Sequence, residues 1–184
     1  MPTLIYSMSV SLDGYIAGPD GAIDWAAPDD ELMRFHIDQT RELSGHLTGR
    51  RLYEAMLGWE TAEQTMTDPL ELEFARTWKA IQKVVFSTSL TAVAGNARLA
   101  RGDVADEVAG LKNQPDAGLV SVGGASLAAR FAEKDLIDEY RLFVNPVVLG
   151  GGTPYFPPLP KGLDLELIET RTFSQVVYLR YRRS

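Results

Sequence analysis

Cysteine is absent from this chain of 184 residues, which excludes disulfides, thiolate metal sites and cysteine nucleophiles and fits a reducing compartment. Histidine is nearly absent. His36 and His46 stand ten positions apart without the spacing of a metal-binding pair, so no metal site is expected. No apolar run reaches membrane-spanning length, and the amino terminus has no basic segment ahead of an apolar one. The expected location is therefore the cytoplasm. Positive charge is also short: 18 Lys and Arg against 25 Asp and Glu give a net charge of -7, the wrong sign for general attraction to nucleic-acid phosphates. What is present in quantity is apolar surface, 45% of the residues, enough for a single domain over 1–184 with a sizeable core.

The chain reads as alternating strand and helix, the pattern of a mainly parallel α/β sheet. Leu4 to Val10 reads as a central strand, and Ser11 to Gly21, with three glycines and a proline, as a long loop. Asp29 is placed to cap a helix running to about Leu43. On it, Asp30 shares a stripe with Met33 and Ile37, which would give its carboxylate apolar surroundings; the alternative is a helix-start acid paired with Arg34. His46-Leu47-Thr48 reads as a short strand feeding a second helix through Gly49, Arg50 and Arg51. A third helix falls within Leu70 to Ile81, and Lys83 to Thr88 reads as a buried strand ending in two hydroxyls. A weak strand at Ala97 to Ala100, a helix capped by Asp103 and a turn over Gln114 to Gly118 follow. Tyr140 to Leu149 reads as a strand with a bulge or edge at Asn145-Pro146. The segments 163–169 and 175–182 then read as an antiparallel hairpin.

The stretch Leu119 to Leu127 carries the strongest chemical signal, an apolar run broken by Gly123-Gly124 and resumed as a helix. Two residues without Cβ let a ligand approach the main chain, and Ser126 with the free N–H groups of the helix start suits an anion. The bland alternative is a tight turn with no ligand. A Rossmann fingerprint is ruled out, because no third glycine follows and the acids Asp135, Asp138 and Glu139 come too early. Thr48-Gly49-Arg50-Arg51 is a second anion candidate, whose alternative is a pair of solvated arginines.

Taken in order, Ser11 to Gly18, Thr48 to Arg51, Phe86-Ser87-Thr88 and Val122-Gly123-Gly124-Ala125-Ser126-Leu127 resemble the dihydrofolate-reductase-like family. The likeness is closest to the reductase domain of the bifunctional riboflavin-biosynthesis deaminase-reductase. Leu136 to Leu142 and Pro146 to Phe156 are similar to the same branch. The resemblance implies an eight-stranded, mostly parallel sheet with an antiparallel C-terminal strand and helices on both faces, NADPH as hydride donor, and a homodimer. It implies that Thr48, Gly49, Arg50 and Arg51 meet cofactor phosphates, that Ser87 and Thr88 lie near the adenosine 2′-phosphate, and that Val122 to Leu127 wrap the pyrophosphate across a cis Gly-Gly bond. Ile16, Ala17 and Gly18 match the mobile loop beside the nicotinamide. Asp30 falls on the substrate carboxylate of true dihydrofolate reductases, Asp13 is the other catalytic candidate, and Leu52 stands where those enzymes carry a polar residue. Without a deaminase segment ahead of the domain in this sequence, the chain is expected to be a reductase only. The expected activity is reduction of a small nitrogen heterocycle or an aminopyrimidine ribosyl phosphate. The alternatives are a true dihydrofolate reductase and a nucleotide-binding protein without catalysis.

Overall fold

The computed structural model describes residues 2–115 and 117–184, so the turn expected over Gln114 to Gly118 includes one residue, Asp116, outside the described residues. In chain order the elements are β1 (Thr3–Ser11), β2 (Tyr15–Ala17), α1 (Asp30–Arg41), β3 (Leu43–Gly49), α2 (Arg50–Met56), α3 (Ala62–Thr65), α4 (Pro69–Ala80) and β4 (Lys83–Phe86). Then come β5 (Ala97–Leu99), α5 (Val104–Lys112), β6 (Leu119–Gly123), α6 (Ala125–Glu133), β7 (Glu139–Asn145), β8 (Thr153–Pro154), β9 (Leu165–Phe173) and β10 (Val176–Arg183). The fold is α/β, with a main sheet of eight strands, mostly parallel with antiparallel pairing at the C-terminal end, and helices around it. The residues gather into two compact units, one built on Pro28–Gly124 and the other on Thr3–Ala27 with Ala125–Ser184.

In the first unit β3 pairs in parallel with both β4 and β6, and β4 pairs with β5. Leu47, Val84, Val85 and Val122 bury its apolar side chains with Trp78, Ala75 and Val108 from the helices. The helices start where local chemistry dictates. Asp29 accepts the Leu32 N–H at 2.9 Å, Asp68 accepts the Leu70 and Glu71 N–H groups ahead of Pro69, and Asp103 and Asp106 form a reciprocal capping box. Helix α1 ends at Arg41 rather than Leu43, because Leu43 is already in register with Leu119 as the first residue of β3. Strand β4 stops at Phe86, so Ser87 and Thr88 lie beyond it.

In the second unit β1 pairs in parallel with β7, and β10 runs antiparallel between β7 and β9. Tyr6, Tyr140, Tyr155, Phe143 and Tyr178 fill this core, with Tyr6 and Tyr155 stacked at 4.4 Å between centroids. Strand β7 ends at Asn145 instead of bulging through Pro146, since proline has no N–H to continue a ladder. The loop expected over Ser11 to Gly21 contains β2, which pairs antiparallel with β8.

Candidate functional site

Three neighbouring parallel strands of the first unit end level with one another. Thr48 of β3 is in register with Gly123 of β6 and Val85 of β4, and Gly49 with Phe86. The carboxyl ends of parallel strands are where open α/β sheets receive ligands, because each strand there gives way to a turn with free backbone groups. The register brings Thr48, Gly49, Arg50, Arg51, Ser87, Thr88, Val122, Gly123 and Gly124 to this one edge.

The two arginines differ. Arg50 donates from Nε to Glu54 Oε1 at 2.8 Å and from Nη1 to Ser89 Oγ at 2.6 Å, so its charge is balanced and its head fixed. Arg51 is exposed and makes no ion pair or side-chain hydrogen bond among the described residues. The hydroxyls divide similarly. Ser87 Oγ accepts the N–H groups of Ser89 (3.2 Å) and Leu90 (3.0 Å), which shapes the turn after β4, while Thr88 is exposed. Ser89, which links this turn to Arg50, was missed by sequence reasoning. The hydroxyl run Ser87-Thr88-Ser89 was the available signal.

The two glycines also have separate reasons. A Cβ on Gly123 would stand 2.4 Å from Leu52 Cδ2 and 2.8 Å from His46 Cε1 and Nε2, so position 123 has no room for one. Gly124 has φ of +93°, with only Leu52 Cβ, at 4.0 Å, near an added Cβ; it is glycine for its backbone angle and leaves open space at the turn. The Gly123–Gly124 peptide is trans, which corrects the cis bond implied by the resemblance. One row below, Ser121, His46 and Lys83 lie side by side across β6, β3 and β4, all buried. His46 Nδ1 is bonded to Ser121 Oγ. Burial first, and then the Lys83 charge, push the His46 pKa down to about 3, so the ring is neutral. Lys83 donates to the Trp78 carbonyl at 2.6 Å and faces Glu60 at 3.6 Å.

Asp30 is exposed at the first turn of α1, with Met33 half-buried and Ile37 buried, and it makes no ion pair with Arg34 among the described residues. In the second unit, Ile16 is buried in β2, and Ala17 of that strand is in register with Thr153. Gly18 is buried and accepts the Gly21 N–H. Asp13 accepts the Ser11 hydroxyl at 2.7 Å and the N–H groups of Leu149 and Gly150 at 3.1 and 2.8 Å. The Ser11 and Leu149 bonds lead in holding its carboxyl below the usual range. At the start of α6, Ala125 and Leu127 are buried and Ser126 is exposed.

The sequence matches the family model of the RibD C-terminal domain over residues 2–179. It is 33% identical over 180 residues to YyaP of Bacillus subtilis (strain 168), an uncharacterized protein, covering 95% of this chain and 93% of that one. The structure is similar to that of a Shewanella sp. PV-4 protein described as a riboflavin biosynthesis protein, with TM-score 0.79, 24% identity and coverage of 100% of this chain and 99% of the other. It is also similar to the diaminohydroxyphosphoribosylaminopyrimidine deaminase/5-amino-6-(5-phosphoribosylamino)uracil reductase of Thermotoga maritima, with TM-score 0.68, 16% identity and coverage of 100% and 57%. At those identities the two structures speak to the fold alone.

Proposed function

Because the chain belongs to the RibD C-terminal domain family, we propose that it is a cytoplasmic NADPH-dependent reductase of a small nitrogen heterocycle or an aminopyrimidine ribosyl phosphate. The observation that carries the reading is the level edge of β3, β4 and β6, where exposed, unpaired Arg51 stands on the same edge as a Gly124 turn with open space. These features fit a phosphorylated dinucleotide. A free guanidinium takes a phosphate bidentately, and main chain without Cβ lets a pyrophosphate come close. The bound cofactor supplies the hydride. The chain supplies binding and orientation through Arg51, Thr88 and the Gly123–Gly124 turn, with Arg50 as a strut tied to Glu54 and Ser89. Of the two carboxylates, Asp30 is the one free to meet a substrate nitrogen, since the Asp13 oxygens already accept three hydrogen bonds.

A second reading, nucleotide binding without turnover, draws support from the exposure of Asp30, which is not set into the apolar surround expected for it. Fluorescence titration with NADPH and NADH tests the cofactor, and rates with pterin and aminopyrimidine substrates separate the two readings. NADPH is expected to bind more tightly by about tenfold or more, roughly 1.4 kcal/mol, with most of the difference lost in Arg51→Ala and less in Arg50→Ala. Equal affinity for both cofactors, unchanged in the double variant, would sink the assignment.

A further inference from the structure

Among the described residues two buried side-chain polar atoms have no hydrogen-bond partner, Tyr6 Oη and His46 Nε2. The first is packed among the rings of Tyr140 and Tyr155. The second faces a turn of bare main chain. Native folds pair nearly all such atoms, because an unpaired one forfeits its bonds to water. The His46 ring is held at two places: Nδ1 is bonded to Ser121 Oγ, and Trp78 packs against the ring at 66° with centroids 4.9 Å apart. Its Cε1–Nε2 edge then faces Gly123, both atoms 2.8 Å from the point where a Cβ would stand.

Leu52 Cδ2 meets the same point. Position 123 thus lacks a side chain where a buried imidazole nitrogen and a terminal leucine methyl converge. Leu52 is half-buried in the first turn of α2, next to Arg51 on the strand edge. Its side chain also borders a void of about 10 Å³ with Thr48, Trp78 and Lys83, room on the scale of one small group. The far end of a leucine moves by rotation between staggered wells, whereas the Ser121 and Trp78 contacts fix the ring. The movable side of the contact is Leu52.

We propose that His46 Nε2 is a concealed donor for a phosphoryl oxygen at the Gly123–Gly124 turn, covered by the Leu52 methyl and uncovered when that side chain turns aside. The inference deepens the reading of the level strand edge as a phosphate site and rests on it. A neutral imidazole has one N–H, and Ser121 decides where it goes: a hydroxyl that donates to Nδ1 leaves the proton on Nε2. An ionised phosphoryl oxygen, which only accepts, selects that tautomer. A ring that merely filled the core would need no nitrogen at this edge, and its substitutions would act through stability alone.

Asn and Gln carry an amide nitrogen near the positions of imidazole Nδ1 and Nε2 respectively, so the two substitutions separate the two atoms. Inorganic pyrophosphate is the probe, with binding read by calorimetry. Its affinity is expected to fall roughly tenfold in His46→Asn, on the scale of one hydrogen bond to a charged group, and to stay within about threefold of the wild type in His46→Gln. Leu52→Ala removes the cover and should bind severalfold more tightly, a gain that vanishes in the Leu52→Ala, His46→Asn double variant. Nitrogen NMR spectra of the wild-type His46 ring decide the matter even where the His46 variants unfold. With pyrophosphate bound, Nε2 should carry the proton, and its resonance should move more than that of Nδ1. Equal affinity in His46→Asn and His46→Gln, no tightening in Leu52→Ala, or a ring spectrum unmoved by saturating pyrophosphate overturns the proposal, as does a wild type that takes no pyrophosphate. A wild type that takes pyrophosphate with the expected ring shift but does not take NADPH overturns the cofactor reading alone and leaves the donor in place.

Discussion

Gly123 and Gly124 are identical letters with different duties, and substitution separates them. Ala at 123 drives its methyl into Leu52 and His46, whereas Ala at 124 meets space but must hold φ near +93°. Each is expected to cost about 1–3 kcal/mol in urea unfolding, the first as overpacking and the second as backbone strain. The two mechanisms part in a Leu52→Ala background. There, part of the Gly123→Ala cost should disappear as the Cδ2 contact goes, while the Gly124→Ala cost stays. Equal rescue at both positions would refute the division. The sequence could show that a Gly pair ends a strand, because that signal is local. It could not show which glycine is crowded, because His46 arrives from β3 and Leu52 from α2, far along the chain. The difference between Arg50 and Arg51 was hidden for the same reason: Ser89, which ties Arg50 down, comes from the turn after β4.

At the scale of elements, the helix starts at Asp29 and Asp103 were legible because a cap acts on N–H groups two or three residues away. The pairing of β2 with β8 was not, since strands of three and two residues carry no periodicity and form only when distant segments meet. Glu107 belongs to the same illegible class. On a helix rich in small and acidic residues it reads as a solvated acid, yet it is buried. It accepts Arg98 through both oxygens at 3.1 and 2.6 Å and the Arg101 N–H at 2.6 Å, joining α5 to β5 and the turn after it. The Arg98 bond is the main cause that lowers its carboxyl pKa from 4.5, against an opposing push from burial. A folded-state pKa below the unfolded one means that the clamp's stabilisation is complete above the ordinary glutamate range and is lost as pH falls through the lowered value. Glu107→Gln should therefore cost about 1–3 kcal/mol at pH 7 and flatten the acid limb of the stability curve. An acid limb identical to that of the wild type would show that the clamp contributes nothing.

At the scale of the whole molecule, the apolar face of the C-terminal strands is a feature without a partner among the described residues. Val144 lies opposite Val177, Leu142 opposite Leu179, and Tyr140 opposite Tyr181. This is a continuous row on one side of the β7–β10 pair. Tyr140 is buried, with Phe156 beside it, but Leu142, Val144, Leu179 and Tyr181 are only half-buried and Val177 is exposed. Leu167 and Ile168 of β9 are 51% and 40% exposed at the edge of the sheet. Monomeric proteins seldom leave such a face to water, and a second copy of the same chain would cover it with matched chemistry through a two-fold axis. We propose that the chain is a homodimer through this face. A stable interface of this kind needs on the order of 1,600 Å² of total buried surface. Light scattering should then give about twice the 20.3 kDa chain mass. Leu179→Arg, which places a charge at the middle of the row, should return the mass to that of one chain with the helical signal intact. The exposed Glu133→Ala on α6 should leave it doubled. A wild-type mass of a single chain at micromolar concentration, or a Leu179→Arg variant that remains a dimer, would move the partner of this face elsewhere.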